Sequence, residues 1–214
     1  MDNLKNIEIS AFPKFKIESS SFLNLANLTS IKFKKTSEYK HRVKFQETGS
    51  LPKISIVQTG AFDNLPKLGR LEFDFTVDEF EKEAFKEIIR VESFLAYNVK
   101  QTHLPRLFTN SPFLELFLFK NNLLSFDKNT FDGLTNLERL LLSENHGLAI
   151  VNEEKFKPVI EQIVRRLGRI SMPTMDCGCD VKWLLSNPAW VDVFKTSTCL
   201  GRYALQTFNT IRKE

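Results

Sequence analysis

The sequence predicts an α/β fold in which short coils stack side by side, each giving one strand to a parallel sheet. Three observations predict it. Residues 113–148 spell one pattern twice: Leu116, Leu118, Asn121 and Leu123 stand at L-x-L-x-x-N-x-L, and 24 residues on Leu140, Leu142 and Asn145 fill the same slots, with Leu148 one residue past the fourth. A second string, F-x-x-L-x-x-L, recurs at residues 22–28, 62–68 and 131–137, and each copy leads three residues later into an apolar-x-apolar pair. The third observation is the ratio of twenty Phe to three Tyr and two Trp, which suits a fold that files one ring type in rows inside each coil. A strand with period two points Leu116 and Leu118 to one face. Asn121 can then bond backbone groups of the next coil that burial would leave unpaired. One coil cannot bury its apolar face alone, so neighbours must stack.

Length and composition limit the alternatives. A chain of 214 residues, 42% hydrophobic and 26% charged, holds one ordinary core and requires no second. The net charge of +4 is spread along the chain without a polybasic block, which gives no reason to expect nucleic acid or an anionic membrane as partner. No run of 18 apolar residues offers a membrane span. The opening residues lack the basic and hydrophobic regions of a secretory signal. Leu4, Ile7 and Ile9 already read as a repeat strand with no capping segment before it, so an amino-terminally incomplete chain is expected.

In chain order, inner strands are expected near residues 6–10, 30–34, 70–74, 93–97, 115–119 and 139–143, and a last one at Ile170 and Met172. Ile17, Val57 and Phe126 precede the three Phe strings by five residues and form a further apolar row. The interval from Ile31 to Leu71, 40 residues, is too long for one coil and too short for two, and Val43 with Phe45 suggests an additional strand there. Residues 77–89 place Phe80, Phe85, Ile88 and Ile89 roughly on one helical face, with Asp78 and Glu79 at its start. Residues 153–167 do so more clearly, through Phe156, Val159, Ile160, Ile163, Val164 and Leu167, with Arg165 and Arg166 in the last turn and Gly168 as the stop. About six to eight coils are expected over residues 1–172. Residues 173–214 abandon the repeat and gather Cys177, Cys179, Cys199, Trp183 and Trp190, the makings of a lid over the end of the stack.

The L-x-L-x-x-N-x-L spelling is similar to the leucine-rich repeat, and the likeness implies a leucine-rich-repeat solenoid with a curved parallel sheet on its concave side and mixed helix and loop on its convex side. The run CGCDVKWLLSNPAW, followed by TCLG, resembles the cysteine-rich carboxyl-terminal cap of extracellular leucine-rich-repeat proteins. Within them it resembles the secreted arthropod branch related to the non-catalytic subunit of the Oplophorus-type shrimp luciferase. That resemblance implies a bridge from Cys177 to Cys199, with Cys179 lacking the partner it has in the full four-cysteine cap. Connectivity stays open, since three cysteines allow three single pairings, including Cys179 to Cys199.

Catalytic chemistry finds no support. The pair Cys177 and Cys179 is half of a zinc site at most, and His41, His103 and His146 stand in no ligand spacing to it. Nucleophile elbows, phosphate loops and dinucleotide fingerprints are absent from the sequence. No catalytic residue, metal or cofactor is therefore expected. The informative residues lie between the inward ones of each strand: Glu8, Lys32, Glu72, Leu95, Phe117 and Leu141, then Ser10, Lys34, Asp74, Tyr97, Phe119 and Ser143 in the next slot. One half of the concave face should be charged, and the other should present Leu95, Tyr97, Phe117, Phe119 and Leu141. Such a patch is a surface for a protein partner or an apolar ligand, unless residues after Gly201 cover it or the register is one residue off. Glu115 and Arg139 read as solvated rim charges. Asn27 begins the one glycosylation sequon, Asn27-Leu28-Thr29.

The expected function is a non-enzymatic, secreted or extracellular binding module that uses its concave face. Two alternatives stand beside it: an accessory subunit that stabilises a separate enzyme chain, as the resemblance implies, and an intracellular repeat adaptor.

Overall fold

A computed structural model describes residues 3–10, 14–34, 53–86, 88, 90–109, 111, 114–118, 120–148, 151–176, 181–200 and 205–207. The chain winds coil by coil. The first coil runs through β1 (Asn6–Ser10) and β2 (Lys14–Ile17), the second through β3 (Ser30–Lys34) and β4 (Lys53–Val57), and the third through β5 (Arg70–Asp74) and β6 (Thr76–Val77). The fourth has β7 (Ser93–Ala96) and β8 (His103–Leu104), the fifth β9 (Glu115–Phe117) and β10 (Ser125–Phe126), the sixth β11 (Arg139–Leu141) and α1 (Glu153–Arg165), and the seventh β12 (Arg169–Ser171). The first strand of every coil joins one parallel seven-stranded sheet, in the order β1-β3-β5-β7-β9-β11-β12. All seven lie where the repeat spacing places them.

The second strand of each of the first five coils builds a wall where the repeat resemblance implies mixed helix and loop. There β2, β4 and β6 form one parallel sheet, and β8 and β10 another. Ile17 pairs with Val57, so the apolar residue that precedes each Phe string is a strand residue.

Two expectations are corrected. Among the described residues of the expected helix over 77–89, none is helical: Val77 pairs with Ile54, Phe80 bridges to Val57, and turns follow. Glu83 is left-handed at φ 57, as are Ser20 at φ 62 and Gly60 at φ 78 at the same point of earlier coils, and one left-handed residue ends a helix. Asp78 pairs with Lys53 at 2.5 Å and caps nothing. Second, Leu167 is 87% exposed, because at φ 54 it has left the helical face. The additional strand expected at Val43 and Phe45 lies outside the described residues, and β3 pairs directly with β5 in the large sheet.

Packing follows from one geometric fact. Equivalent residues in successive coils are separated by the strand spacing of about 4.8 Å, close to the separation at which aromatic rings stack. Phe22, Phe62, Phe85 and Phe108 form a file with centroids 5.1, 5.5 and 5.5 Å apart. Phe33 stacks on Phe73 at 4.9 Å, and Phe62 meets Phe73 edge-on, which ties the file to the sheet. The strings also explain their third letter. Asn24, Asn64 and Gly133 all occupy the left-handed region, which Asn and Gly enter most readily.

Asn121 and Asn145 act as their spacing requires. Asn121 accepts from the Val99 N–H at 2.7 Å and donates to the Ala96 carbonyl at 3.2 Å. Asn145 accepts from the Leu123 N–H at 3.3 Å and donates to the Leu118 and Leu142 carbonyls, each at 2.7 Å. Both are buried, so these bonds replace water that cannot enter.

The far end of the stack is covered. Asn152 caps α1 by accepting from the Lys155 N–H, and Phe156, Val159, Ile160 and Ile163 turn inward. The helix ends at Arg165 with left-handed Leu167 just beyond, so the stop comes before the expected Gly168, whose N–H bonds the Ile163 carbonyl. A Cβ there would lie 2.2 Å from the Glu138 carbonyl oxygen. Beyond β12 come β13 (Met175–Asp176), α2 (Lys182–Leu185), α3 (Pro188–Val193), β14 (Thr198–Leu200) and β15 (Leu205–Thr207). Trp183 in α2 and Trp190 in α3 meet edge to face at 5.7 Å. The Trp183 indole N–H donates to the Val151 carbonyl at 3.2 Å, and Lys157 of α1 lies over the Trp190 ring. Ser197 finishes the edge of the large sheet: its hydroxyl accepts from the Met172 N–H and donates to the Ile170 carbonyl.

Replacing Asn145 by Ala should cost about 3 kcal/mol, because buried backbone groups lose their partners, and should lower the urea midpoint accordingly. Asn122→Ala, at an exposed neighbour, should change stability by less than about 0.5 kcal/mol. Equal costs at the two positions would refute the role given to the buried amide.

Candidate functional site: the solvent face of the large sheet

Strand register sorts the residues of this face. Glu8, Lys32, Glu72, Leu95, Phe117, Leu141 and Ser171 are successive cross-strand partners in one row. Residues on either side of that row, among them Phe94, Ala96, Leu116, Leu118, Leu140 and Leu142, are buried, so the row itself faces outward. Leu95, Phe117 and Leu141 are partly exposed neighbours on adjacent strands. The register expected from spacing is the register found. Residues 205–207 pair with β14, away from the row. Phe119 lies outside the described residues.

The charged half is arranged differently from a plain polar surface. Glu72 is only 7% exposed and is held by Lys32 at 2.7 Å and Arg70 at 3.2 Å. Lys34 pairs with Glu8. A carboxylate so buried needs such partners, and with Asp74, the cross-strand partner of Lys34, three carboxylates face three cations. Glu115 pairs with Arg139 at 3.0 Å beside the apolar row. Exposed pairs of this kind contribute little, which fits a rim.

Tyr97 stands where the two halves meet. Its N–H bonds the Phe73 carbonyl, which sets it next to the end of β5. Burial raises the phenol's pKa, and the carboxylates of Glu72 and Asp74 raise it further, while Arg70 acts against them. All three raising effects disfavour the phenolate, so the ring presents a neutral hydroxyl.

Other expected positions fall elsewhere. Trp183 and Trp190 are at the covered end, and Cys199 is buried there. Cys177 and Cys179 lie outside the described residues. Asn27 is partly exposed, and its amide oxygen accepts from Lys67 of the next coil at 2.5 Å. The hydroxyl of Thr29, the third sequon residue, donates to the Lys5 carbonyl.

One cluster is not among the residues that spacing singles out. His103 on β8 bonds the Ser125 hydroxyl at 2.7 Å through Nδ1 and an Asp127 carboxylate oxygen at 2.9 Å through Nε2. Ser125 is its direct cross-strand partner, so the coil-length offset is the available signal. A nucleophilic relay needs a sheltered carboxylate and donors for an oxyanion. Here the Asp127 side chain is 45% exposed, and the cluster is a polar clasp between coils on the outer surface. Among the described residues, no group of three or more His, Cys, Asp or Glu side chains could hold a metal ion, and no helix is long and apolar enough to cross a membrane.

The Tyr97 phenol should ionise above its ordinary value of 10. A raised pKa means that stability is complete below the unfolded value and is lost as pH climbs through the folded one. In an alkaline titration followed by phenolate absorbance, Tyr97→Phe should remove a component that ionises above the ordinary phenol range, and Asp74→Asn should move that component to lower pH. A component unaffected by either change would overturn this account.

Comparison with known proteins agrees with this geometry. The family model described as the BspA type leucine-rich repeat region matches six copies, over residues 1–59 and 55–159. The search of curated proteins returns no match. Stacked parallel strands, files of apolar residues and repeats along most of the chain lead to one assignment: the chain belongs to the BspA-type leucine-rich repeat family.

Proposed function

We propose that this chain is a non-enzymatic, extracellular binding module that holds a protein partner, or an apolar ligand, on the face carrying Leu95, Phe117 and Leu141. The observation that carries the reading is the row itself: three large apolar side chains, in register on adjacent strands, turned to solvent. Apolar groups kept together on a surface mark contact sites. In the neighbouring half of the face Lys32, Lys34 and Arg70 are balanced by Glu8, Glu72 and Asp74, which leaves the apolar half as the part free to bind another molecule. Tyr97 lies between them and supplies a ring with a neutral hydroxyl, a group common at the centre of binding surfaces.

The extracellular setting is supported from the other end of the molecule. Cys199 is buried at the covered end, and we read it as one half of a disulfide. Disulfides persist in oxidising compartments. The resemblance of residues 177–199 to extracellular caps makes Cys177 the proposed partner, and places Trp183 and Trp190 under the bridge as the aromatic filling of the lid.

Two measurements test these parts separately. Affinity capture from extracellular fluid with the wild-type chain should recover a partner that a Phe117→Asp, Leu141→Asp double variant recovers at least tenfold less. Equal recovery by both removes this face from the function. If the recovered partner is a catalytic chain at fixed stoichiometry, the module serves as an accessory subunit. Non-reducing peptide mapping should find Cys177 linked to Cys199. Three free thiols would remove the argument for an extracellular setting and favour an intracellular adaptor.

A further inference from the structure

Helix α1 ends on a residue that its own stop signal does not favour. The Gly168 N–H bonds the Ile163 carbonyl and the Leu167 N–H bonds the Val164 carbonyl, the paired bonds of a Schellman stop. The residue just past the cap must then be left-handed, and glycine usually takes that place because a Cβ is disfavoured there. Here it is Leu167, at φ 54. Burial does not offset the strain. At 87% exposed, Leu167 is the most exposed of the large apolar side chains among the described residues, the next being Leu124 at 57%. Backbone strain of this kind gathers at ligand clamps.

Leu167 borders a groove of about 430 Å³ between the end of α1 and α3. Val164, Ala189 and Val193 give it apolar walls, and Arg169 and Lys195 line it against the single carboxylate of Asp192. Arg165 and Arg166, both exposed, immediately precede Leu167. Arg169 donates to the Leu167 and Gly168 carbonyls and Arg166 to the Asn136 amide oxygen, but among the described residues none of these four cations is paired with a carboxylate. Elsewhere on the sheet Lys32, Arg70 and Arg139 each have one. Arg169 is moreover the cross-strand partner of Arg139, so like charges sit side by side on the last two strands.

We propose that this groove docks an acidic peptide segment of a partner protein. One large apolar residue of the segment lies against Leu167 and the apolar walls, and carboxylates on either side of it meet Lys195, Arg165 and Arg169. Arginines hold carboxylates through paired N–H bonds, and clusters of them read acidic motifs. Charge selects this occupant over the chain itself. Residues 201–214 bring Arg202, Arg212 and Lys213 against Glu214, and a second copy brings a net charge of +4, so both meet their own sign. Shape selects it over other polyanions. A nucleic acid would use the cations and leave the apolar walls empty, and a flat bilayer surface would reach Leu167 without filling a concave groove. The docking is independent of the row formed by Leu95, Phe117 and Leu141.

The probe is a fluorescein-labelled peptide with four glutamates on either side of one leucine, followed by anisotropy. It should bind saturably, at least tenfold tighter than the same peptide with serine for leucine or with lysine for glutamate, and more weakly as NaCl rises from roughly 50 to 500 mM. Leu167→Gly separates docking from folding, since glycine suits φ 54. Its thermal midpoint should equal or exceed that of the wild type, while its affinity for the acidic peptide falls at least fivefold. Lys195→Glu should lower affinity at least tenfold, and Lys100→Glu, the same charge change at an exposed site in the fourth coil, by less than twofold. The proposal is overturned by absence of saturable binding, by equal binding of the three peptides, or by a Leu167→Gly variant that binds as the wild type does or melts lower. Equal losses in Lys195→Glu and Lys100→Glu, or tighter binding of duplex DNA or phosphatidylserine vesicles than of the acidic peptide, overturn it too.

Discussion

Everything in this molecule is subject to the distance between neighbouring strands. Once the chain commits to coils separated by about 4.8 Å, each residue meets its own equivalent one coil away, and only certain groups gain from that meeting. Phenylalanine does, because rings offset by that separation stack, and each such contact contributes about 0.5–1.5 kcal/mol. The file from Phe22 to Phe108 and the pair Phe33 and Phe73 show the gain repeated. Asparagine gains in another way, since its amide spans the gap and bonds backbone groups on the adjacent coil. Charged groups gain only in alternation, as in the ladder of Glu8, Lys34, Lys32 and Glu72.

That constraint explains why most of the large sheet is legible in the amino-acid sequence. Period-two alternation and a repeated leucine spelling identify inward residues, and register follows once one strand is right. The second wall is less legible, because Thr76–Val77 and Ser125–Phe126 are too short to carry a period. Residues 77–89 mislead for a related reason. Phe85, Ile88 and Val91 are the F-x-x-L-x-x-L string with different aliphatic residues, and Phe62, Phe85, Phe108 and Phe131 recur every 23 residues. A coil period there imitates a helical one. The left-handed Glu83 leaves no trace in the sequence, since nothing in its side chain favours that backbone.

The candidate site is legible to the extent that it depends on parity. Leu95, Phe117 and Leu141 have to face outward once Leu116 and Leu140 face inward. What parity cannot convey is how neighbours share charge. Glu72 lies deep between Lys32 and Arg70, and the same carboxylate acts with Asp74 on Tyr97. Half of the face is thereby occupied with itself, and any affinity the module has for another molecule is concentrated in the remainder. A binding surface of that kind tolerates change at its outer charges and little change in its apolar row.

The aromatic plug over the last coil also bears on how the molecule comes apart. In a stack where each coil touches only its neighbours, opening proceeds from whichever end is worse secured. Trp183, Trp190 and Ser197 anchor the coil that β12 closes, so opening from that side must break their bonds first. Without that anchorage, heat or a pulling force would strip β12 and α1 before it reached the coils beneath them.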